Sequence, residues 1–216
     1  NPSNQRVFDF GDHLATYMNL DRGGVFRSAL WKLRNDPERL SRLPSALFDQ
    51  HISHHLNNSG LAQTLDLINP LDSFNQRFRI TRLGEGAIEN LDSAPDEARE
   101  VQSGYIGVID SIRAPESLRI GLDMHLARSA VKGADNQLYT RLLDTKTGKV
   151  VWRTPIQMET AFIGEPGSTV GKDKFVAAMS PRYGFQYVPR KDVQYELLSG
   201  DDLFSNISDT IPMKSG

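Results

Sequence analysis

Apolar residues recur at helical spacing through the first sixty positions of the chain. One set comprises Leu14, Met18 and Leu20, and a second comprises Phe26, Leu30, Trp31 and Leu33. Asp21-Arg22-Gly23-Gly24 separates the two sets, as glycine-containing polar runs often do. Asp36-Pro37-Glu38 has the capping residue, early proline and early acid of a helix start. A further helix is predicted from Pro44 to Leu56, ended by Asn57-Asn58-Ser59-Gly60.

Two short helical pieces are predicted next, over Ala62–Ile68 and Leu71–Phe78, with Asn69-Pro70 between them. The stretch from Glu85 to Glu100 carries six acids against Arg99, together with Gly86 and Pro95, and is predicted to be an exposed, mobile loop.

The remainder of the chain alternates short apolar runs with Gly, Pro and Asp turns, which is typical of strands. The predicted strands are Tyr105–Ile112, Arg119–Met124, Leu138–Leu143, Val150–Arg153, Ala161–Ile163, Phe175–Met179, Phe185–Val188 and Val193–Leu197. Thr145-Lys146-Thr147-Gly148 is predicted to be a hairpin turn. A helical first half before a mostly antiparallel β second half predicts an α+β fold. We divide it into a helical lead-in over 1–42, a middle region over 43–125 and a β-rich lobe over 126–216.

Composition excludes several classes of protein. The 216 residues are 38% hydrophobic and 24% charged, which is ordinary globular usage. No apolar run approaches the ~18 residues that span a bilayer, so no membrane association is predicted. The chain has no cysteine, which removes disulfides, thiolate metal sites and cysteine nucleophiles. With 25 basic and 27 acidic side chains, any contact with a polyanion must come from a local cluster.

Three short motifs are weak. Asp9-Phe10-Gly11 lacks the upstream elements of a kinase, so a loop or helix cap is favoured. Gly167–Lys172 resembles a phosphate loop, but position 166 is Pro and Asp173 replaces the Mg²⁺-binding hydroxyl, so a turn is favoured. His51, His54 and His55 have helical spacing without HExxH, which favours a solvated helix face over zinc.

A cluster of arginines is the strongest signal. Arg77, Arg79 and Arg82 follow the Asn69-Pro70 break and precede Gly84 and Gly86. They fit either a set facing phosphate groups or a surface cluster paired with Asp66, Asp72 and Glu85.

This region resembles the β subunit of multisubunit DNA-dependent RNA polymerase. The family reads roughly L-x-Q-x-x-D-x-x-N-P-L, then an Arg and L-G-x-G. The matching positions here are Leu61, Gln63, Asp66, Asn69, Pro70, Leu71, Arg79, Leu83, Gly84 and Gly86. A second block, Ala114–Leu122, resembles the family's T-P-E-G-x-N-I-G-L. The resemblance spans roughly residues 43–213 and identifies 43–125 as fork-like and the lobe as the external lobe that follows the fork.

The resemblance implies a DNA-directed RNA polymerase, a nucleotidyltransferase, in which this segment lines the active-site cleft. The residues facing nascent RNA and the RNA–DNA hybrid would be Gln63, Arg77, Arg79, Pro115 and Glu116. No catalytic residue or metal ligand is expected here, because Mg²⁺ belongs to the β′-type partner. The implied partners are the β′-type subunit, the remaining β portions, the DNA template and nascent RNA.

The family's rifamycin pocket maps to Gln63, Thr64, Asp66, Gln76, Arg79 and Thr81. Thr64, Gln76 and Thr81 stand where bacterial enzymes carry Phe, His and Ser, so resistance to rifampicin is expected.

Arg113, Ser117 and the acidic segment depart from the family pattern. These departures and the missing initial Met resemble a virus-encoded, split or processed chain, which would lie in the host cytoplasm or the virion. Two rival hypotheses remain: a non-catalytic nucleic-acid-binding or assembly module with a polymerase-like fold, and an unrelated α+β binding protein.

Overall fold

A computed structural model describes residues 5–35, 46–64, 68–84, 86–113, 115 and 117–203. The chain divides into two compact units: Phe8–Thr64, and Asn1–Val7 together with Leu65–Gly216. Helices occupy the first half and mostly antiparallel strands the second, which confirms the predicted α+β class. The division into segments 1–42, 43–125 and 126–216 stays a prediction.

The first unit, Phe8–Thr64, is helical. Its helices are α1 (Phe10–Leu20), α2 (Arg22–Asn35) and α3 (Ala46–Asn58). The break between α1 and α2 is shorter than predicted, because α2 begins at Arg22 and includes both glycines. The predicted helix start at Asp36-Pro37-Glu38 lies outside the described residues.

Asp9 caps α1 and explains the Asp9-Phe10-Gly11 motif. Its carboxylate accepts the Asp12 backbone N–H at 3.1 Å, and the Asp12 carboxylate accepts the Asp9 N–H at 2.9 Å. This reciprocal pair satisfies donors that the first helical turn leaves free. The interpretation of this motif as a helix cap is confirmed.

The histidines of α3 pack against aromatic residues of α1. The ring of Tyr17 stacks on His54 and His55, with centroids 5.9 and 5.4 Å apart, and Phe10 lies 5.7 Å from His55. His55 is buried. The expectation of a solvated histidine face holds for His54, which is exposed, and fails for His55, which aromatic neighbours on α1 cover.

The second unit begins with a short helix that leads into a two-stranded sheet. Helix α4 (Pro70–Gln76) starts with Asn69, whose side chain accepts the Leu71 N–H at 3.1 Å, and with Pro70 in the first turn. This confirms the predicted start. The preceding predicted piece, Ala62–Ile68, is not helical at the described residues 62–64 and 68.

Strands β1 (Arg79–Thr81) and β2 (Asp123–His125) form an antiparallel pair that we call the ribbon. In its register Arg79 lies opposite His125, and Thr81 lies opposite Asp123. The predicted strand Arg119–Met124 is thus shorter and shifted. Its first half is a turn in which Gly121 adopts φ 69°, and a side chain there would strike the backbone of Arg99.

Hydrogen bonds hold the acidic segment, Glu85–Glu100, in place along its described residues. It contains a 3₁₀ turn (Leu91–Ser93) and a short helix, α5 (Asp96–Arg99). The buried guanidinium of Arg82 donates to the carbonyl of Ala98. Arg99 donates to the carbonyls of Leu91, at 2.8 Å, and Leu118. The prediction of a mobile exposed loop did not anticipate these contacts.

The predicted strand Tyr105–Ile112 was wrong. Ser103–Tyr105 is a 3₁₀ turn, and Ile109 makes an isolated bridge to Leu126. Gly107 has φ 72°, which a strand does not use, and a side chain on it would lie 3.1 Å from Thr140. The reversal lets apolar residues consecutive in sequence enter one core, made of Tyr105, Val108, Ile109, Met124 and Leu138.

The rest of this unit is a seven-stranded sheet that we call the large sheet. Its strands are β3 (Val131–Lys132), β4 (Leu138–Asp144), β5 (Val150–Arg153), β6 (Ile163–Gly164), β7 (Phe175–Ser180), β8 (Gly184–Pro189) and β9 (Tyr195–Glu196). Their order is β3-β4-β9-β6-β7-β8, with β5 also on β4, and only β6 with β9 is parallel among these described pairs. Helix α6 (Pro155–Met158) follows β5.

The predicted hairpin turn joins β4 and β5. The carboxylate of Asp144 accepts the N–H groups of Lys146 and Thr147 at 2.9 and 3.0 Å, and Gly148 takes φ 65°. Leu142, Met158, Ile163 and Leu197 form one core cluster of the sheet, and Val176, Ala178, Val188 and Val193 form another. Among the described residues no helix is long and apolar enough to cross a membrane.

Candidate functional site: an arginine cluster on the ribbon

The carboxylate of Asp123 lies at the centre of the cluster. Nη2 of Arg79 is 2.8 Å from its Oδ2, and Nη1 of Arg119 is 3.1 Å from the same oxygen. The Asp123 side chain is 7% exposed, whereas those of Arg79 and Arg119 are 37% and 50% exposed. The carboxylate is therefore covered while both guanidinium groups reach solvent.

The ribbon brings these residues together. Arg79 and Thr81 are two positions apart on β1, so their side chains leave the same face. Asp123 lies opposite Thr81 in the register, which places it on that face as well. Arg119 reaches Asp123 through a turn in which the Asp123 N–H donates to the Arg119 carbonyl at 3.1 Å.

The neighbours of Asp123 keep it ionised. Burial acts to raise the pKa of its carboxyl group, but hydrogen bonds from Thr81, Arg79 and Arg119 outweigh burial, and the pKa lies below its ordinary value. Two guanidinium groups share one carboxylate, so the cluster carries a net positive charge.

A third arginine, Arg113, lies beside the ribbon. Nη1 of Arg113 donates to Oδ1 of Asn75 on α4 at 2.7 Å. The backbone N–H groups of Arg113 and Ile112 donate to the buried carboxylate of Asp110, at 3.3 and 2.9 Å respectively. Burial lowers the pKa of His125, and the positive charge of Arg113 lowers it further. His125 is thus harder to protonate than an ordinary histidine.

Arg82 does not belong to this surface. It is 8% exposed, its Nη2 donates to Oε1 of Gln5 at 3.2 Å, and its guanidinium lies 5.8 Å from the ring centre of Tyr105. The structure therefore separates Arg82 from Arg79, although the sequence placed Arg77, Arg79 and Arg82 in one cluster. It also shows that Arg79 pairs with Asp123, an acid that the sequence analysis did not consider.

The other predicted site residues lie as follows. Arg77 is exposed at the end of α4, Gln76 is half-buried in its last turn, and Pro115 is half-buried. Gln63 and Thr64 are exposed, and they belong to the helical unit. Asp66 and Glu116 lie outside the described residues. Arg79 and Thr81 are thus the predicted residues that the structure gathers around Asp123.

Sequence reasoning missed Asp123 and Arg119 as members of the site. Their four-residue spacing is a weak signal of an ion pair, since such a pair needs helical or turn geometry. The described residues contain no group of three or more His, Asp or Glu that could hold a metal ion. The cluster can instead bind an anion, because each arginine presents further N–H donors toward solvent.

Comparison with known proteins gives a family match over the part of the chain that contains this cluster. Residues 63–131 match the family model described as RNA polymerase Rpb2, domain 3. This range includes α4, both strands of the ribbon and every residue of the arginine cluster.

The chain is also similar to bacterial proteins named DNA-directed RNA polymerase subunit beta. It is 25% identical to that of Mycoplasmopsis pulmonis over 97% of this chain and 18% of the relative. It is 32% identical to that of Mycoplasmopsis synoviae over 57% of this chain and 11% of the relative, and 30% identical to that of Methylacidiphilum infernorum over 71% and 12%. The chain thus spans less than a fifth of the length of these relatives.

Proposed function

We propose that this chain is a segment of the β subunit of a DNA-directed RNA polymerase and lines the active-site cleft along the path of nascent RNA and the RNA–DNA hybrid. The observation that carries the proposal is the net positive arginine cluster inside residues 63–131, the range that matches the polymerase family model. Its partners would be the β′-type subunit, the remaining β portions, the DNA template and the transcript.

The proposed role of the cluster is to bind the backbone of the transcript. A guanidinium group is always charged and its planar fork matches the oxygens of a phosphate group. Contacts of this kind position a nucleic acid and read no sequence. Arg77 and Arg79 would supply such contacts, with Gln63, Pro115 and Glu116 along the same path.

Nucleotidyl transfer itself would belong to the partner. Mg²⁺ stabilises the attacking and leaving oxygens in such reactions. The donor groups that the structure describes in this chain do not converge on a metal site, so the ion does not fit here. We assign it to the β′-type subunit and assign this chain the task of holding the RNA in place.

Replacement of Arg79 in the assembled polymerase tests the proposal. Arg79→Ala should slow RNA extension about tenfold or more, because a charge-assisted bond to the transcript is lost. Lys146→Ala, which removes one exposed positive charge from the β4–β5 turn, is the matched control and should change the rate less than about twofold. Subunit composition should remain the same in both variants.

Equal extension rates for the Arg79 and Lys146 variants would refute the role of the cluster. A purified complex that binds the hybrid but adds no nucleotide would favour a non-catalytic nucleic-acid-binding or assembly module. Intact mass and the identity of co-purifying subunits distinguish both from an unrelated α+β binding protein.

Resistance to rifampicin is a second consequence of the proposal. Thr64 and Gln76 supply neither the aromatic ring nor the imidazole that bacterial enzymes carry at the corresponding positions. The side chain of Arg79, another of the pocket positions, is already bound to Oδ2 of Asp123 at 2.8 Å. The assembled polymerase should keep its activity at drug concentrations that stop a bacterial enzyme run in parallel. Half-maximal inhibition at a comparable concentration would contradict this.

We also propose that the chain is virus-encoded and acts in the host cytoplasm or the virion. Support comes from the departures at Arg113 and Ser117 and from the acidic segment, while the relatives described above are bacterial. Sequencing the nucleic acid that encodes the purified complex would test this directly.

A further inference from the structure

We propose that Asp123 is a positioning residue that joins Arg79 and Arg119 into one clamp for a phosphodiester group of the nucleic-acid backbone. The inference rests on the proposed function, because it names the groups that would meet the transcript. It adds Asp123 and Arg119 to the residues predicted to face the transcript. Asp123 would position the arginines, and Arg119 would bind the phosphate group together with Arg79.

The geometry of the two ion pairs points to a clamp. Nη2 of Arg79 and Nη1 of Arg119 contact the same atom, Oδ2 of Asp123, at 2.8 and 3.1 Å. One oxygen thereby fixes two guanidinium groups side by side. A guanidinium group has five N–H donors, and no other acceptor within the described ranges contacts either of these two side chains. Donors of both arginines are therefore left for a ligand.

The pattern of exposure gives the direction of the clamp. Asp123 is 7% exposed and lies beneath two arginines that are 37% and 50% exposed. A ligand arriving from solvent meets the guanidinium groups first and the carboxylate last. Among the described residues, Asp110 lies beside this surface, and it is buried and accepts two backbone N–H groups. The face offered to solvent is therefore positive.

The balance of charge selects an anion as the ligand. One arginine would neutralise Asp123, so the second adds a positive charge that no described residue of the cluster balances. Two neighbouring forks of N–H donors suit the non-bridging oxygens of a phosphodiester, which accept in pairs. The cluster also lies within residues 63–131, which match the polymerase family model, and the proposed function makes a nucleic-acid backbone the source of the phosphate.

Replacing Asp123 separates positioning from charge by the sign of the effect. If the carboxylate acted only through its negative charge, Asp123→Asn would tighten binding of a polyanion. If the carboxylate positions Arg79 and Arg119, the same change frees both side chains to adopt other conformations. Binding of the polyanion then weakens, although the protein becomes more positive. We expect about tenfold weaker binding, the loss that follows from one charge-assisted bond.

The experiment measures the affinity of the assembled complex for a labelled RNA–DNA hybrid of arbitrary sequence over a series of salt concentrations. Arg79→Gln and Arg119→Gln should each reduce the salt dependence by about one phosphate contact. In the Arg79→Gln/Arg119→Gln background, Asp123→Asn should have no further effect, because nothing remains for it to position. Asp192→Asn, at an exposed position in the 3₁₀ turn that follows β8, is the matched control for removal of one negative charge.

The outcomes are distinct. If Arg79→Gln weakens binding while Asp123→Asn leaves it unchanged or tightens it, the positioning role is refuted and the proposed function survives. If Arg119→Gln has no effect while Arg79→Gln does, the clamp is refuted in the same way. If neither arginine variant changes the affinity, the proposed function fails as well.

A further variant covers the case in which Asp123→Asn disturbs folding, which thermal unfolding and subunit composition would reveal. Arg119→Lys keeps the charge and removes the planar fork. The clamp predicts several-fold weaker binding with an unchanged salt dependence. Full affinity of Arg119→Lys would show that charge alone is used, and the clamp would be refuted.

Discussion

Buried carboxylates have different partners in the ribbon and in the large sheet. In the ribbon, Asp123 binds two arginine side chains that stay partly in solvent. In the large sheet, Glu196 is 2% exposed and accepts the backbone N–H of Gly167 and the hydroxyl group of Thr169. The first carboxylate fixes cations at the surface, whereas the second fixes a loop.

Asp202, beside the large sheet, lies between these two cases, because its one arginine partner is 42% exposed. It is 1% exposed, accepts the Ser199 N–H at 3.1 Å, and pairs with a single arginine, Arg141, at 3.4 Å. Burial of an acid therefore does not by itself indicate a functional site. The informative feature is whether more than one charged partner reaches solvent, and of these three acids that holds for Asp123.

The largest expected difference between the ribbon and the large sheet is an effect on the free energy of unfolding, and it comes from the core of the large sheet. Leu142 is 1% exposed and packs with Met158, Ile163 and Leu197. Leu142→Ala should lower the free energy of unfolding by about 2–5 kcal/mol, measured by urea titration, because it leaves a cavity. Affinity of the folded protein for the hybrid should not change, since the ribbon packs on a different cluster.

Val150→Ala is the control for this change. Val150 lies on the same sheet but is 53% exposed, so its replacement should cost less than about 0.5 kcal/mol. Weakened hybrid binding by folded Leu142→Ala protein would show that the two regions are not independent.

Glu196→Ala should have the next largest effect. It removes the charged acceptor of two partly buried hydrogen bonds, one from a backbone N–H and one from a hydroxyl group, which costs about 1–3 kcal/mol of unfolding free energy. Hybrid affinity should stay unchanged, in contrast to the loss expected for Asp123→Asn. Glu159→Ala, at an exposed position following α6, removes the same charge and should be nearly neutral. Equal losses for the two glutamates would contradict the assigned role of Glu196.

Features encoded by neighbouring residues could be predicted from the sequence. Strand β4 alternates buried Leu138, Thr140 and Leu142 with less buried residues, and its hairpin turn follows from Asp144 to Gly148. The start of α4 follows from Asn69 and Pro70 alone. These elements depend on interactions over a few residues, so local pattern and turn chemistry were sufficient.

Features that depend on distant residues could not be predicted in this way. The run from Tyr105 to Ile112 has the composition of a strand, but the chain turns at Gly107, whose φ is 72° and whose close neighbour Thr140 is 33 residues away in sequence. Arg79 and Arg82 are equivalent in sequence terms, yet one reaches Asp123 and solvent while the other reaches Ala98 and is buried. The partner of Arg79 is 44 residues away, so spacing within one motif could not identify it.

A smaller effect should follow from the cap that leads into the ribbon. Asn69→Ala removes the acceptor of the Leu71 N–H and should cost about 1 kcal/mol of unfolding free energy. Asn69→Asp keeps a side-chain acceptor and should restore stability. Because α4 directly precedes β1, amide hydrogen exchange should quicken at β1 in the alanine variant and stay unchanged in the large sheet. An equal increase in both sheets would contradict the local role of this cap.

The smallest and most specific effect should be a pH dependence confined to the ribbon. Burial and the charge of Arg113 hold the pKa of His125 below the ordinary 6.5. The unfolded chain therefore binds a proton at a higher pH than the folded chain does, so stability is full above pH 6.5 and falls as the pH drops toward the folded pKa. Asp123, whose pKa lies below 3.8, loses its contribution only at still lower pH.

His125→Gln should remove this loss between pH 6.5 and the folded pKa. The chain's other histidines, His13, His51, His54 and His55, lie in the helical unit, and the sequence of the large sheet contains none. Amide exchange measured at pH 8 and again below pH 6 should therefore show the ribbon losing protection in the unaltered protein and keeping it in the variant, after correction for intrinsic exchange rates. The large sheet should respond alike in both. Identical ribbon protection in the two proteins at the lower pH would show that His125 does not link the stability of the ribbon to pH.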